Sequence, residues 1–102
     1  MGETTTTVRI RRLVLDVLKP HQPRIDVLAY AVAELPGVDS VNIARTETDS
    51  STEGIVVTIV GDNLIYKDIE NVLRDYGSSI HSVDEVVAGE QIIDTILLPD
   101  EE

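Results

Sequence analysis

Residues 38–60 read VDSVNIARTETDSSTEGIVVTIV, and this stretch decides the architecture. Val41 and Ile43 share one side of an extended chain with polar residues between them, the period-2 pattern of a half-buried strand running from Val38 to about Thr48. Asp49-Ser50-Ser51-Thr52-Glu53-Gly54 is a polar run of turn formers and reads as a hairpin loop. Ile55 to Val60 is apolar on both sides apart from Thr58, so it reads as a third strand paired antiparallel with the segment before it.

A helix flanks this hairpin on each side. Upstream, Ile25, Leu28, Ala29, Val32 and Leu35 recur with the spacing of one apolar helical face, Pro23 suits a helix start, and Pro36-Gly37 stops it. Downstream, Gly61-Asp62-Asn63 closes the strand and offers a capping residue. Ile65, Ile69, Val72, Leu73 and Tyr76 then form a buried stripe, with Glu70 and Arg74 paired outside it and Gly77 at the left-handed cap. Strands close both ends of the pattern. From Val8 to Leu18, Leu13, Leu15 and Val17 share one face while Val14, Asp16 and Leu18 share the other, and Lys19-Pro20 ends the ladder. Ser78 to Val87 is the fourth strand. Gly89 breaks it, and Gln91 to Leu98 is apolar enough for a short extra strand.

The order β-α-β-β-α-β predicts an α+β, ferredoxin-like sandwich: a four-stranded antiparallel sheet with both helices on one face, and the first and fourth strands as neighbours. Residues 8–98 form this one domain, between a flexible arm (1–7) and an acidic tail (99–102). The other sheet face would carry Val14, Leu18, Val56 and Val60. A contiguous apolar patch of this kind predicts self-association, unless the C-terminal segment folds back over it.

The chain has 19 acidic residues against 8 basic ones, a net charge of −11, which makes nucleic acid a poor partner. Only Lys19 and Lys67 are lysines. Scarce Lys, excess acid and many Thr match the composition of salt-loving archaeal proteins, although an ordinary acidic cytosolic protein reads similarly. With no cysteine, disulfides and thiolate metal sites are excluded. No apolar run is long enough to span a membrane, and a cytoplasmic location is expected.

Two stretches hold the candidate ligands. In Leu15-Asp16-Val17-Leu18-Lys19-Pro20-His21-Gln22-Pro23, an Asp interrupts an apolar strand and needs a partner. It reads as a cation or ligand contact, as a salt bridge to Arg11 or Arg12, or as a solvated position on the open face. In Ile80-His81-Ser82-Val83-Asp84-Glu85-Val86-Val87-Ala88-Gly89, His81, Ser82 or Asp84 would approach Asp16 across the first and fourth strands. Oxygen ligands plus water suit Ca²⁺ or Mg²⁺. A two-His, two-Asp set suits Zn²⁺ only if His21 folds inward. Asp84 and Glu85 also read as an exposed strand end. No catalytic motif accompanies these residues, so a non-enzymatic role is expected.

Arg12-Leu13-Val14-Leu15-Asp16-Val17-Leu18-Lys19-Pro20-His21 and Ile80 to Gly89, with Leu35-Pro36-Gly37-Val38-Asp39-Ser40-Val41-Asn42-Ile43 between them, resemble a small, mainly archaeal family known as domain of unknown function number two hundred and eleven. The similarity spans about Arg11 to Ile93. It implies a ferredoxin-like fold and ring-like homo-oligomers and allows bound divalent cations, calcium first, with Asp16, His21, His81, Asp84 and Glu85 as the residues carried over. The Leu-Pro-Gly-Val…Val-Asn-Ile passage is also similar to two other ferredoxin-like groups. Heavy-metal-associated domains need a Cys pair that Lys19-Pro20-His21-Gln22-Pro23 lacks. ACT-type domains bind small metabolites between associating copies, and stand as the alternative function.

Overall fold

The computed structural model describes residues 8–96, so the expected arm (1–7) and acidic tail (99–102) lie outside the described residues. Its elements are β1 (Ile10–Pro20), α1 (Ile25–Ala33), β2 (Val38–Thr48), β3 (Thr52–Gly61), α2 (Tyr66–Asp75) and β4 (Ser79–Ala88). The strands form one antiparallel sheet in the order β2-β3-β1-β4. This is the expected ferredoxin-like arrangement, with β1 and β4 adjacent.

The alternation in β1 and β3 builds the core directly. Leu13, Leu15 and Val17 stand opposite Ile59, Val57 and Ile55, and all six are sealed from solvent beneath Leu28 and Val32 of α1 and Ile69 and Leu73 of α2. Each such side chain contributes roughly 1.5–3 kcal/mol by its removal from water. Val14, Asp16, Leu18, Val56 and Val60 fall on the opposite face, as their register requires. No helix among the described residues is long and apolar enough to cross a membrane.

Four local expectations need correction. The hairpin loop is shorter than its polar run: Asp49 N–H bonds to the Thr52 carbonyl at 2.8 Å, and β3 already includes Thr52, Glu53 and Gly54. Neither Asp62 nor Asn63 caps α2, which starts at Tyr66 after Ile65. The chain first buries Leu64 and ties its N–H to the Ile10 carbonyl at 2.8 Å, and that apolar gain sets the helix start. Ile65 and Tyr76 are 46% and 36% exposed, so the buried stripe of α2 narrows to Ile69 and Leu73, with Val72 packed at its margin.

The expected C-terminal strand is also absent from residues 91–96, which have no regular structure; residues 97 and 98 lie outside the described region. Polar contacts hold this segment in place of a ladder. Arg12 donates to Asp94 at 3.1 Å and the Thr95 hydroxyl to Glu85, while Arg11 donates to the carbonyl of Glu90, just before the segment, at 2.6 Å. The segment therefore crosses the open face only beside Arg12, where Val87 is buried, and leaves Leu18 at the other end 48% exposed.

Two turns meet at glycines. Gly37, at φ +85°, ends the α1–β2 turn, and its carbonyl accepts the Asp62 N–H at 3.1 Å. A Cβ on Gly61 would overlap that same carbonyl, so the contact requires the missing side chain.

Candidate functional site

Where β1 ends, the two sides of the β1–β3 ladder carry different chemistry. On the helix side the inward series Leu13, Leu15, Val17 continues to Lys19, and Ile59, Val57, Ile55 continues to Glu53. Lys19 and Glu53 are register partners, 0% and 8% exposed. Buried charges persist only when paired and hydrogen-bonded. Lys19 Nζ donates to the Pro20 carbonyl at 2.8 Å, the His21 carbonyl at 3.3 Å and Glu53 Oε1 at 3.3 Å. Glu53 Oε2 faces His21 Nδ1 at 3.2 Å and lies 3.9 Å from the Arg45 guanidinium.

His21 completes the cluster. Its Nε2 is 3.1 Å from the carbonyl oxygens of both Asp49 and Ser50. Every neighbour of the ring is an acceptor, so the full set of bonds needs an N–H on each nitrogen, which is the imidazolium form. The Glu53 carboxylate, followed by the Ser50 carbonyl, raises the His21 pKa above its ordinary 6.5. In return His21, then Lys19 and Arg45, hold the Glu53 carboxyl below its ordinary 4.5. The hairpin tip is thus pinned to the end of β1.

On the other side of the ladder lies a groove of about 530 Å³ lined by Asp16, Leu18, Glu47, Thr48, Asp49 and His81, among others. Asp16 stands between Val56 of β3 and Ser82 of β4 and is half-buried. Its carboxylate takes no hydrogen bond or ion pair from the described residues. A register shift in β4 between Ser82 and Ile80 leaves His81 without a direct partner on β1, and the ring borders the same groove.

The five candidate ligands therefore divide. Asp16 and His81 share the groove. His21 lies on the helix side, tied to Glu53 and the hairpin carbonyls, so the inward-folded His21 that a zinc site requires is not formed. Asp84 is exposed and accepts from Ser82 Oγ at 2.7 Å. Glu85 is half-buried rather than an exposed strand end; it accepts from Thr95 and from Arg12 at 3.2 Å, contacts that lower its pKa. Among the described residues no three His, Asp or Glu side chains come together as a metal-binding group. Neither arginine reaches Asp16: Arg11 is engaged by the carbonyls of Gly61, Gly89 and Glu90, and Arg12 by Glu85 and Asp94.

Sequence reasoning passed over Lys19 and Glu53. The signal was present in the period: Lys19 is the next inward position after Val17, and Glu53 the one before Ile55. Residue chemistry, a Lys beside Pro and a Glu in a polar run, argued for turns instead.

This fold, with a polar cluster on each side of the β1–β3 ladder, defines a ferredoxin-like α+β domain. The chain belongs to the domain family DUF211, described as uncharacterized ArCR, COG1888, whose match covers residues 11–102. It is similar to the uncharacterized protein MJ0319 of Methanocaldococcus jannaschii, with 47% identity over 90 residues, spanning 88% of this chain and 93% of that protein. The resemblance carried by Arg12–His21 and Ile80–Gly89 is borne out, and the archaeal relative agrees with it.

Proposed function

We propose that the protein is a non-enzymatic, self-associating module that holds a divalent cation or small polar ligand in the Asp16–His81 groove. The observation that carries this reading is the Asp16 carboxylate, half-buried on an apolar sheet face beside His81 and without a partner from the described residues. A carboxylate in such a place gains from a cation more than a fully solvated one does. Calcium is the ion that suits a carboxylate supplemented by hydroxyl and carbonyl oxygens, such as those of Thr48 and Thr52 at the groove. One chain offers few ligands, so in this reading the ion sits where copies meet, and a closed, ring-like assembly covers the face bearing Val14, Leu18, Val56 and Val60.

The groove volume favours one alternative. About 530 Å³ is more than an ion needs and lies within the range of small-molecule sites. An ACT-like, metabolite-sensing role would place an amino acid or nucleotide there, between copies.

Light scattering after size exclusion in high salt, with calcium and then with excess chelator, separates these readings. The proposal expects an oligomer that loosens in chelator, and an Asp16→Asn variant that behaves in calcium as the native chain does without it. A monomer in both conditions removes the proposal. Thermal stabilisation by one amino acid or nucleotide, with no response to calcium, moves the groove to the metabolite-sensing class.

A further inference from the structure

The cleft between β2 and the start of α1 gathers positive charge in an otherwise acidic chain. It has a volume of about 380 Å³ and is lined by Lys19, His21, Arg24 and Arg45 against Asp26 and Glu53. Three of the chain's 8 basic residues and one of its two histidines therefore share one concavity of a molecule with net charge −11. Arg24 is neutralised by Asp26 through two bonds of 3.1 Å. The remaining two cations, joined by His21 in its imidazolium form, share a single carboxylate: Lys19 at 3.3 Å, His21 at 3.2 Å and Arg45 at 3.9 Å from Glu53. One negative charge balances neither two positive charges nor three.

The imbalance is concentrated at Arg45. Lys19 spends its donors on two carbonyls and Glu53, and His21 on Glu53 and two carbonyls. The Arg45 guanidinium makes no hydrogen bond to the described residues, and the side chain is 57% exposed at the cleft. A guanidinium presents five N–H donors in a planar fork that fits two oxygens of one anion.

We propose that this cleft is an oxyanion site, in which Arg45 takes a carboxylate or phosphate group over a floor preset by the Lys19–Glu53–His21 cluster. The site lies on the helix side of the ladder, so it stands or falls independently of the Asp16 groove. Its ligand is a small molecule or chain terminus carrying one such group, and chloride is the competitor that matters in concentrated salt.

Titration of the full chain with inorganic phosphate and, separately, acetate, at ionic strength held constant with sodium chloride and below neutral pH, tests this by backbone amide NMR. The expected result is a saturable shift centred on residues 21–26 and 45 with one of the two anions. Phosphate alone assigns a phosphoryl ligand, and acetate alone a carboxylate. Arg45→Gln weakens that binding by about tenfold or more, while Arg74→Gln on α2 leaves it unchanged. The absence of a saturable response to either anion overturns the proposal, as does an Arg45→Gln variant that binds like the native chain.

Discussion

Lys19 and Glu53 face each other across the β1–β3 ladder on its buried side, with Nζ 3.3 Å from Oε1, at the point where the apolar series of both strands would otherwise continue. The pair replaces two core positions with charge. Such pairs add little over an apolar pair of similar volume, yet breaking one leaves an uncompensated charge.

Single substitutions should therefore be worse than the double. Lys19→Met strands Glu53 among half-satisfied partners and should lower Tm by about 10 °C or more. Glu53→Leu leaves the Lys19 ammonium with carbonyls alone and should act in the same direction. The double variant should recover part of the loss, which thermal unfolding followed by circular dichroism reads directly. Additive losses would show that the two side chains do not act as a pair.

The His21 bonds give stability a pH window. His21 has a raised folded pKa, so its contribution is complete below the unfolded value of 6.5 and fades as pH rises through the higher folded value. Glu53 has a lowered one, so its contribution is complete above the unfolded 4.5 and fades as pH falls through the lower folded value. The cluster stabilises most between these limits. Tm measured against pH at constant high salt should fall as pH rises above 6.5, and His21→Gln should flatten that limb. An unchanged limb in the variant would assign the fall to other groups.

Gly61 supplies a steric prediction. Because its added Cβ would overlap the Gly37 carbonyl and crowd Leu64, Gly61→Ala must push apart the two turns that seat α1 and α2 on the sheet. The expected cost is about 2 kcal/mol or more, read from urea unfolding. A loss within about 0.5 kcal/mol would mean that the turns separate without strain.

The parts of the fold that were legible are those where one period dominates. Leu13, Leu15 and Val17 against Val14, Asp16 and Leu18 set β1 and its register, and Ile55, Val57 and Ile59 set β3. Misread segments are those where burial and residue chemistry disagree. Asp62 and Asn63 have the chemistry of caps, but burial of Leu64 moved the helix start to Tyr66. Gln91 to Ile96 has strand composition, yet its contacts to Arg12 and Glu85 come from side chains rather than a backbone ladder. For the site, strand adjacency brought Asp16 and His81 together as the topology required. The opposite sides taken by Asp16 and His21 depend on where β1 ends, and the pairing of Glu85 with Arg12 depends on side-chain reach, neither of which residue spacing encodes.

The open sheet face gives the last prediction, and Leu18 is the residue to test. It stands opposite Gly54 and Ser79, 48% exposed, at the end of the face that residues 91–96 do not cover. Because it is already exposed, Leu18→Glu should change the stability of an isolated chain by no more than about 0.5 kcal/mol. In an assembly formed through this face, the same change buries an unpaired carboxylate beside Asp16 and adds like-charge repulsion in each copy. Native mass in calcium and high salt should then fall to that of the single chain, with the helical and sheet signals intact. Val27→Glu is the matching control, since Val27 is 42% exposed on α1, on the other side of the sheet. Loss of assembly with Leu18→Glu alone assigns the interface to the open face, whereas loss with Val27→Glu alone would move it to the helical layer and leave the Asp16 groove facing solvent.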